Sequence, residues 1–136
     1  MSGETTKQGG RFAQGVGRRD VHNAVKESDW LRFVIDLAHH CQWSAVHFRS
    51  VPRLCADGSV RYSTPVQGDG AGFPDLLMVR PGQVIAAELK GPRGRLTERH
   101  EWWIERLKAG GMPAYVWRPA NADQVITVLG GNYAGE

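Results

Sequence analysis

The sequence predicts an α/β fold, a mixed central sheet flanked by helices. Three observations carry this. Trp30, Phe33, Val34, Leu37, Ala38 and Cys41 recur at helical spacing. Two apolar runs, Asp75 to Arg80 and Val84 to Lys90, are joined by Pro81-Gly82 and read as adjacent buried strands. A second amphipathic stretch, with Leu96, Trp103, Ile104 and Leu107 on one side, precedes a short strand-like run from Ala114 to Trp117.

In chain order, Met1 to Asp20 carries Gly9, Gly10, Gly15 and Gly17 with Lys7, Arg11, Arg18 and Arg19. Glycine is costly to order, so this segment reads as a flexible basic arm, a loose tether or a segment without fixed structure. No strand precedes these glycines, which excludes a dinucleotide-binding loop. A single domain is expected over 21–130, with an uninformative tail at 131–136. Its first helix should start near Asn23 or Ala24, with Asn23 as cap, and end at His40. Glu27 lies one turn before Trp30 and so borders the buried face.

A strand is expected over Ser44 to Ser50, ended by Pro52. Arg53 to Gly72 is turn-rich, with Asp57-Gly58 as a candidate hairpin turn and Val60, Tyr62 and Thr64 alternating as in a short strand. Gln67 to Gly72 (QGDGAG) is a loop in which glycine permits close backbone approach. After the central strands, Thr97 can cap a helix through Ala109, with Glu98 and Glu101 at its positive end, and Gly110-Gly111 stops it. Ala122 to Leu129 fits a helix or a strand.

Composition narrows the classes. The chain has 136 residues, 41% of them hydrophobic, enough for one small core. The net charge of +3 is only mildly basic, but arginine dominates the stretch Lys90 to Lys108, and its planar fork suits phosphate oxygens. No apolar run approaches a membrane span and no signal-peptide pattern opens the chain, so a soluble cytoplasmic protein is expected. Cys41 and Cys55 lack the spacing of a zinc ribbon. They read as incidental thiols or, alternatively, a disulfide.

The chemistry concentrates in Phe73-Pro74-Asp75 and the run VIAAELK, Val84 to Lys90. Residues two apart on a strand share a face, so Glu88 and Lys90 project together, and a hairpin brings Asp75 beside them. Taken alone, Glu and Lys at this spacing are an ordinary surface ion pair of little energetic weight. Here they interrupt strands that otherwise read as buried, where charges need a partner or a metal. Two carboxylates and the Leu89 carbonyl suit Mg²⁺ or Mn²⁺. Such an ion polarises a phosphate oxygen and activates water, and Lys90 can offset charge on the reacting phosphoryl group. Glu27 could add an outer carboxylate.

Pro74-Asp75 with Glu88-Leu89-Lys90 resembles the core signature of the PD-(D/E)XK nuclease superfamily. From about Lys26 to Leu129 the chain is most similar to its VRR-NUC branch, small phage and bacterial nucleases. The Glu27 helix, Gly72-Phe73-Pro74-Asp75-Leu76, the Glu-x-Lys strand and the following helix all reproduce that branch's order. The resemblance implies a restriction-endonuclease-like core. It assigns Asp75, Glu88, the Leu89 carbonyl and Glu27 to the metal, and makes Lys90 the catalytic lysine. It also implies a DNA endonuclease acting as a homodimer on branched DNA such as a Holliday junction, without a small-molecule cofactor.

One position departs from the family. Where it usually carries Gln in the supporting helix, this chain has His100, which is either a packed structural histidine or a group contacting phosphate or water. Arg49, Arg53, Arg93, Arg95 and Arg99 are the candidate DNA contacts, since they flank the expected cleft and its loops. The alternatives are a flap or nicking nuclease, and a DNA-binding accessory protein that keeps the fold without turnover.

Overall fold

The computed structural model describes residues 26–131. The expectations for the arm, for Asn23 as a helix cap and for the tail lie outside these residues. Helix α1 (Glu27–His40) leads into β1 (Ser44–His47) and the hairpin β2 (Val51–Leu54) and β3 (Val60–Ser63). Then come β4 (Leu76–Arg80), β5 (Gln83–Leu89), α2 (Glu98–Ala109), β6 (Ala114–Trp117), a 3₁₀ turn (Pro119–Asn121) and α3 (Ala122–Gly130). The central sheet has the order β1-β4-β5-β6. Its first two pairings are antiparallel and β5 pairs with β6 in parallel, so the sheet is mixed, as the sequence predicts.

The two faces of the sheet are covered differently. Leu76, Met78, Ile85, Ala87, Leu89 and Trp117 pack with Trp30, Val34 and Ala38 of α1 and with Val125 and Leu129 of α3. Ala86 and Ala114 turn the other way, onto Ile104 of α2. Burial at 30, 34 and 38 is an i, i+4, i+8 stripe, and each large side chain so buried stabilises the fold by about 1.5–3 kcal/mol. Phe33 is not part of that stripe: it is exposed and stacks on Trp30.

Other local expectations are corrected in detail. Pro52 does not end a strand region; it sits inside β2, paired with Tyr62 in a separate two-stranded sheet. Proline is tolerated there because each strand of a two-stranded ribbon is an edge. The strand that begins at Ser44 stops at His47, although the Phe48 N–H still donates to the Asp75 carbonyl at 2.8 Å. The open choice at Ala122 resolves to a helix, because Val125 and Leu129, four apart, are both buried in the core. The two cysteines are free, so the disulfide alternative falls. Among the described residues no helix is long and apolar enough to cross a membrane.

Candidate active site

The strand register assembles the central residues. Leu76 pairs with Ala87 across the β4–β5 hairpin, and continuing that antiparallel register by one step sets Asp75 opposite Glu88. Glu88 shares its face with Ala86, the face covered by α2, and Lys90 follows two residues later. The Leu89 N–H donates to Asp75 Oδ1 at 3.0 Å. In an extended strand the carbonyl of a residue points to the same edge as its N–H, so the Leu89 carbonyl also faces Asp75.

Glu88 is only 5% exposed. Its Oε1 has Lys90 Nζ at 3.6 Å and His100 Nε2 at 3.7 Å, contacts too long for hydrogen bonds. Its Oε2 is buried and, among the described residues, has no hydrogen-bond partner. Burial, and then the neighbouring charge of Asp75, push the Glu88 carboxyl up to about 8. Burial lifts Asp75 to about 6; the Leu89 N–H opposes that rise and the charge of Glu27 adds to it. Two adjacent carboxyls that resist joint ionisation form a site waiting for positive charge. A divalent cation fits this donor set: Mg²⁺ is commonly held by one or two carboxylates, with water and substrate phosphate completing its shell. Among the described residues no group of three His, Cys, Asp or Glu side chains is arranged to hold a metal ion.

His100 is placed by the start of α2. Thr97 Oγ1 accepts from the His100 N–H at 3.2 Å, and His100 Nδ1 accepts from the Thr97 N–H at 3.1 Å. This is a capping box closed by histidine instead of the usual Glu or Gln. Burial and then the Lys90 charge lower the imidazole's pKa, so it is held neutral. With Nδ1 accepting, the ring proton sits on Nε2, the atom directed at Glu88. The structural and the site reading of His100 therefore use different nitrogens of one ring.

These groups line a cleft of about 1070 Å³ together with Glu27, Arg49, Tyr62 and the 70–73 loop. Glu27, in the first turn of α1, is exposed and lines the cleft, while the buried stripe of that helix packs on the opposite face of the sheet. Arg53, Arg93 and Arg95 are exposed and are not part of the cleft wall. Arg99 serves the glycine loop: its Nε and Nη2 donate to the carbonyls of Ala71 at 3.2 Å and Asp69 at 2.8 Å. It also lies over Trp102, 4.4 Å from the ring centre.

The sequence reading missed two supports. Trp103 Nε1 donates to the same two loop carbonyls, each at 3.1 Å. Arg118 Nη1 donates to Gly91 O at 3.0 Å and Gly94 O at 2.5 Å, pinning the loop that follows Lys90. Neither has a sequence signal, because both contacts bridge distant segments. Gly72, at φ +81°, lies against Arg99 so closely that an added Cβ would stand 2.5 Å from the Arg99 Cβ and 2.8 Å from its backbone carbon.

A sequence profile of the VRR-NUC domain matches residues 26–121. No curated protein and no solved structure matches the chain. The matched span contains the Glu27 helix, Asp75, Glu88, Lys90 and His100, so the assembled cleft lies wholly within the family's domain. The chain belongs to the VRR-NUC domain family, a nuclease domain of the PD-(D/E)XK type.

Proposed function

We propose that this protein is a Mg²⁺- or Mn²⁺-dependent DNA endonuclease, selective for branched DNA and acting as a homodimer. The observation that carries the reading is the buried Glu88 Oε2, without a hydrogen-bond partner among the described residues, on the residue opposite Asp75 and with Lys90 on the same face. Asp75, Glu88 and the Leu89 carbonyl would hold the cation, with Glu27 at the rim. When bound, the cation would polarise a phosphate oxygen and make water easier to deprotonate.

The chain's own groups divide the remaining work. Lys90 places its ammonium where negative charge grows as water attacks phosphorus in line with the departing oxygen, so it stabilises the transition state more than the ground state. The neutral His100 offers Nε2–H to a non-bridging phosphate oxygen. Arg99 and Trp103 hold the 69–72 loop and thereby fix where Asp75 enters the sheet. Arg49 supplies positive charge to the cleft wall.

The test is cleavage of a labelled panel of four-way junction, flap, duplex and single-stranded DNA, with Mg²⁺, Mn²⁺ or EDTA, beside Lys90→Ala. Metal-dependent cutting that K90A abolishes, strongest on branched substrates, is expected. Tight binding with no cutting by the folded, metal-supplied protein would point instead to an accessory DNA-binding protein.

A further inference from the structure

The β2–β3 hairpin stands outside the core, and all eight of its strand residues are exposed. Its two faces differ sharply. Pro52 pairs with Tyr62 and Leu54 with Val60, which makes one face apolar. On the other face Arg53 pairs with Arg61, beyond the pair Val51 and Ser63. Like charges directly opposite on a ribbon repel each other. Among the described residues neither arginine forms an ion pair that would relieve the repulsion. The hairpin also continues the catalytic cleft, because Arg49, Ser50, Tyr62, Ser63 and Thr64 at its base line the cleft wall.

From this we infer that the Arg53–Arg61 face is a second phosphate-binding surface, which grips the DNA backbone away from the bond being cut. The inference rests on the nuclease reading above and adds Arg61 and a position along the DNA to it. A polyanion is the occupant that these charges fit: it neutralises both guanidiniums and removes their mutual repulsion. Arginine forks supply two donors each to phosphate oxygens, and such contacts position the backbone without reading sequence.

The geometry also sets a distance. Phe48 is tied to the Asp75 carbonyl at 2.8 Å, and Arg53 lies five residues further along the chain. Fully extended, the chain carries the Arg53 Cα no more than about 18 Å from Phe48, and the guanidinium reaches roughly 6 Å further. One DNA strand carries a charge about every 3.4 Å along the axis, so the grip falls within about seven phosphates of the scissile bond.

The experiment compares wild type with the double variant Arg53→Gln, Arg61→Gln. Fluorescence anisotropy on a long duplex or junction in Ca²⁺ gives binding, and Mg²⁺ assays give kcat and KM. The expected result is roughly tenfold weaker binding near 0.1 M salt, and a salt-dependence slope shallower by about 2, at about 0.9 per lost phosphate contact. The loss should fall on KM, and the gap should close on duplexes that end two or three nucleotides from the cleavage site. Arg53→Lys with Arg61→Lys should recover most of the affinity, and a thermal melt of the glutamine variant should match or exceed wild type because the repulsion is gone.

Unchanged affinity and salt slope in a wild-type protein that binds and cuts DNA would overturn this inference alone. Unchanged affinity with an altered molecular mass in solution would assign the hairpin to a second copy, and would also overturn it. A wild type that neither binds nor cuts any DNA would remove the nuclease reading, and this inference with it.

Discussion

Arg80 and Glu88 are buried charges on neighbouring strands, at opposite ends of one sheet, 4% and 5% exposed. Their surroundings could hardly differ more. Arg80 Nε donates to Gln83 Oε1 at 2.5 Å, Nη1 to the carbonyls of Cys41 at 3.0 Å and Leu129 at 2.9 Å, and Nη2 to that of Gly131. Its guanidinium also lies 4.3 Å from the centre of the Trp43 ring. The carbonyls belong to the ends of α1 and α3, where a cation is favoured by the helix dipole and satisfies acceptors left over by the helix. Glu88 has one cation, Lys90, and the neutral His100 at 3.6 and 3.7 Å, and among the described residues its other oxygen has no hydrogen-bond partner. A buried charge whose three nitrogens all donate holds the fold together; one left incomplete at a cleft is free to take a ligand.

Mutation separates the two roles. The largest expected effect is on catalysis: Glu88→Gln and Lys90→Ala should each lower kcat by at least about 10²-fold while leaving the protein folded, checked by single-turnover cleavage and circular dichroism. Arg80→Met should do the reverse. It takes the arginine donor from the Cys41 and Gly131 carbonyls and leaves that of Leu129 with Trp43 Nε1–H alone, and should cost about 3 kcal/mol in urea unfolding, with specific activity of the folded fraction retained.

Gly72→Ala lies between the two. Its backbone at φ +81° and its contact with Arg99 should cost about 1–3 kcal/mol. It should also lower kcat by displacing the loop that leads to Asp75, a combination that Arg80→Met will not show.

The smallest effect is in pH dependence. The Glu88 carboxyl is raised in the folded state, to about 8, so the metal-free fold binds more protons than the unfolded chain. Its contribution to stability is full below the ordinary carboxylate range and is lost as pH rises through about 8. Metal-free wild type should therefore melt lower at pH 9 than at pH 6, and Glu88→Gln should flatten that dependence. An unchanged slope in E88Q would show that Glu88 is not the group responsible.

The carboxylate end was more legible in the sequence than the Arg80 end. Asp75, Glu88 and Lys90 could be grouped because strand periodicity and one tight hairpin turn bring them together with no long-range information. Thr97 as a helix cap was legible for the same local reason. Arg80 carried no signal, because its backbone partners lie 39 to 51 residues away. The loop contacts of Arg99 carried no signal either, because their carbonyls lie 28 and 30 residues earlier. Pro52 misled, because a separate two-stranded ribbon cannot be foreseen from a proline that would break an inner strand. The helix at Ala122 stayed ambiguous because nine residues with Val125, Val128 and Leu129 satisfy two periodicities, and only contact with Trp43 and the sheet decides.

On the proposed reading, Asp75 and Glu88 form an incomplete site that a divalent cation completes. Isothermal titration of Mn²⁺ or Mg²⁺ into the full chain at pH 7, repeated in two buffers of different ionisation enthalpy, tests it most directly. Binding that releases up to one proton per ion, and is lost in Glu88→Gln, is the expected result. No binding by folded wild type, or binding without proton release that E88Q leaves intact, would contradict it.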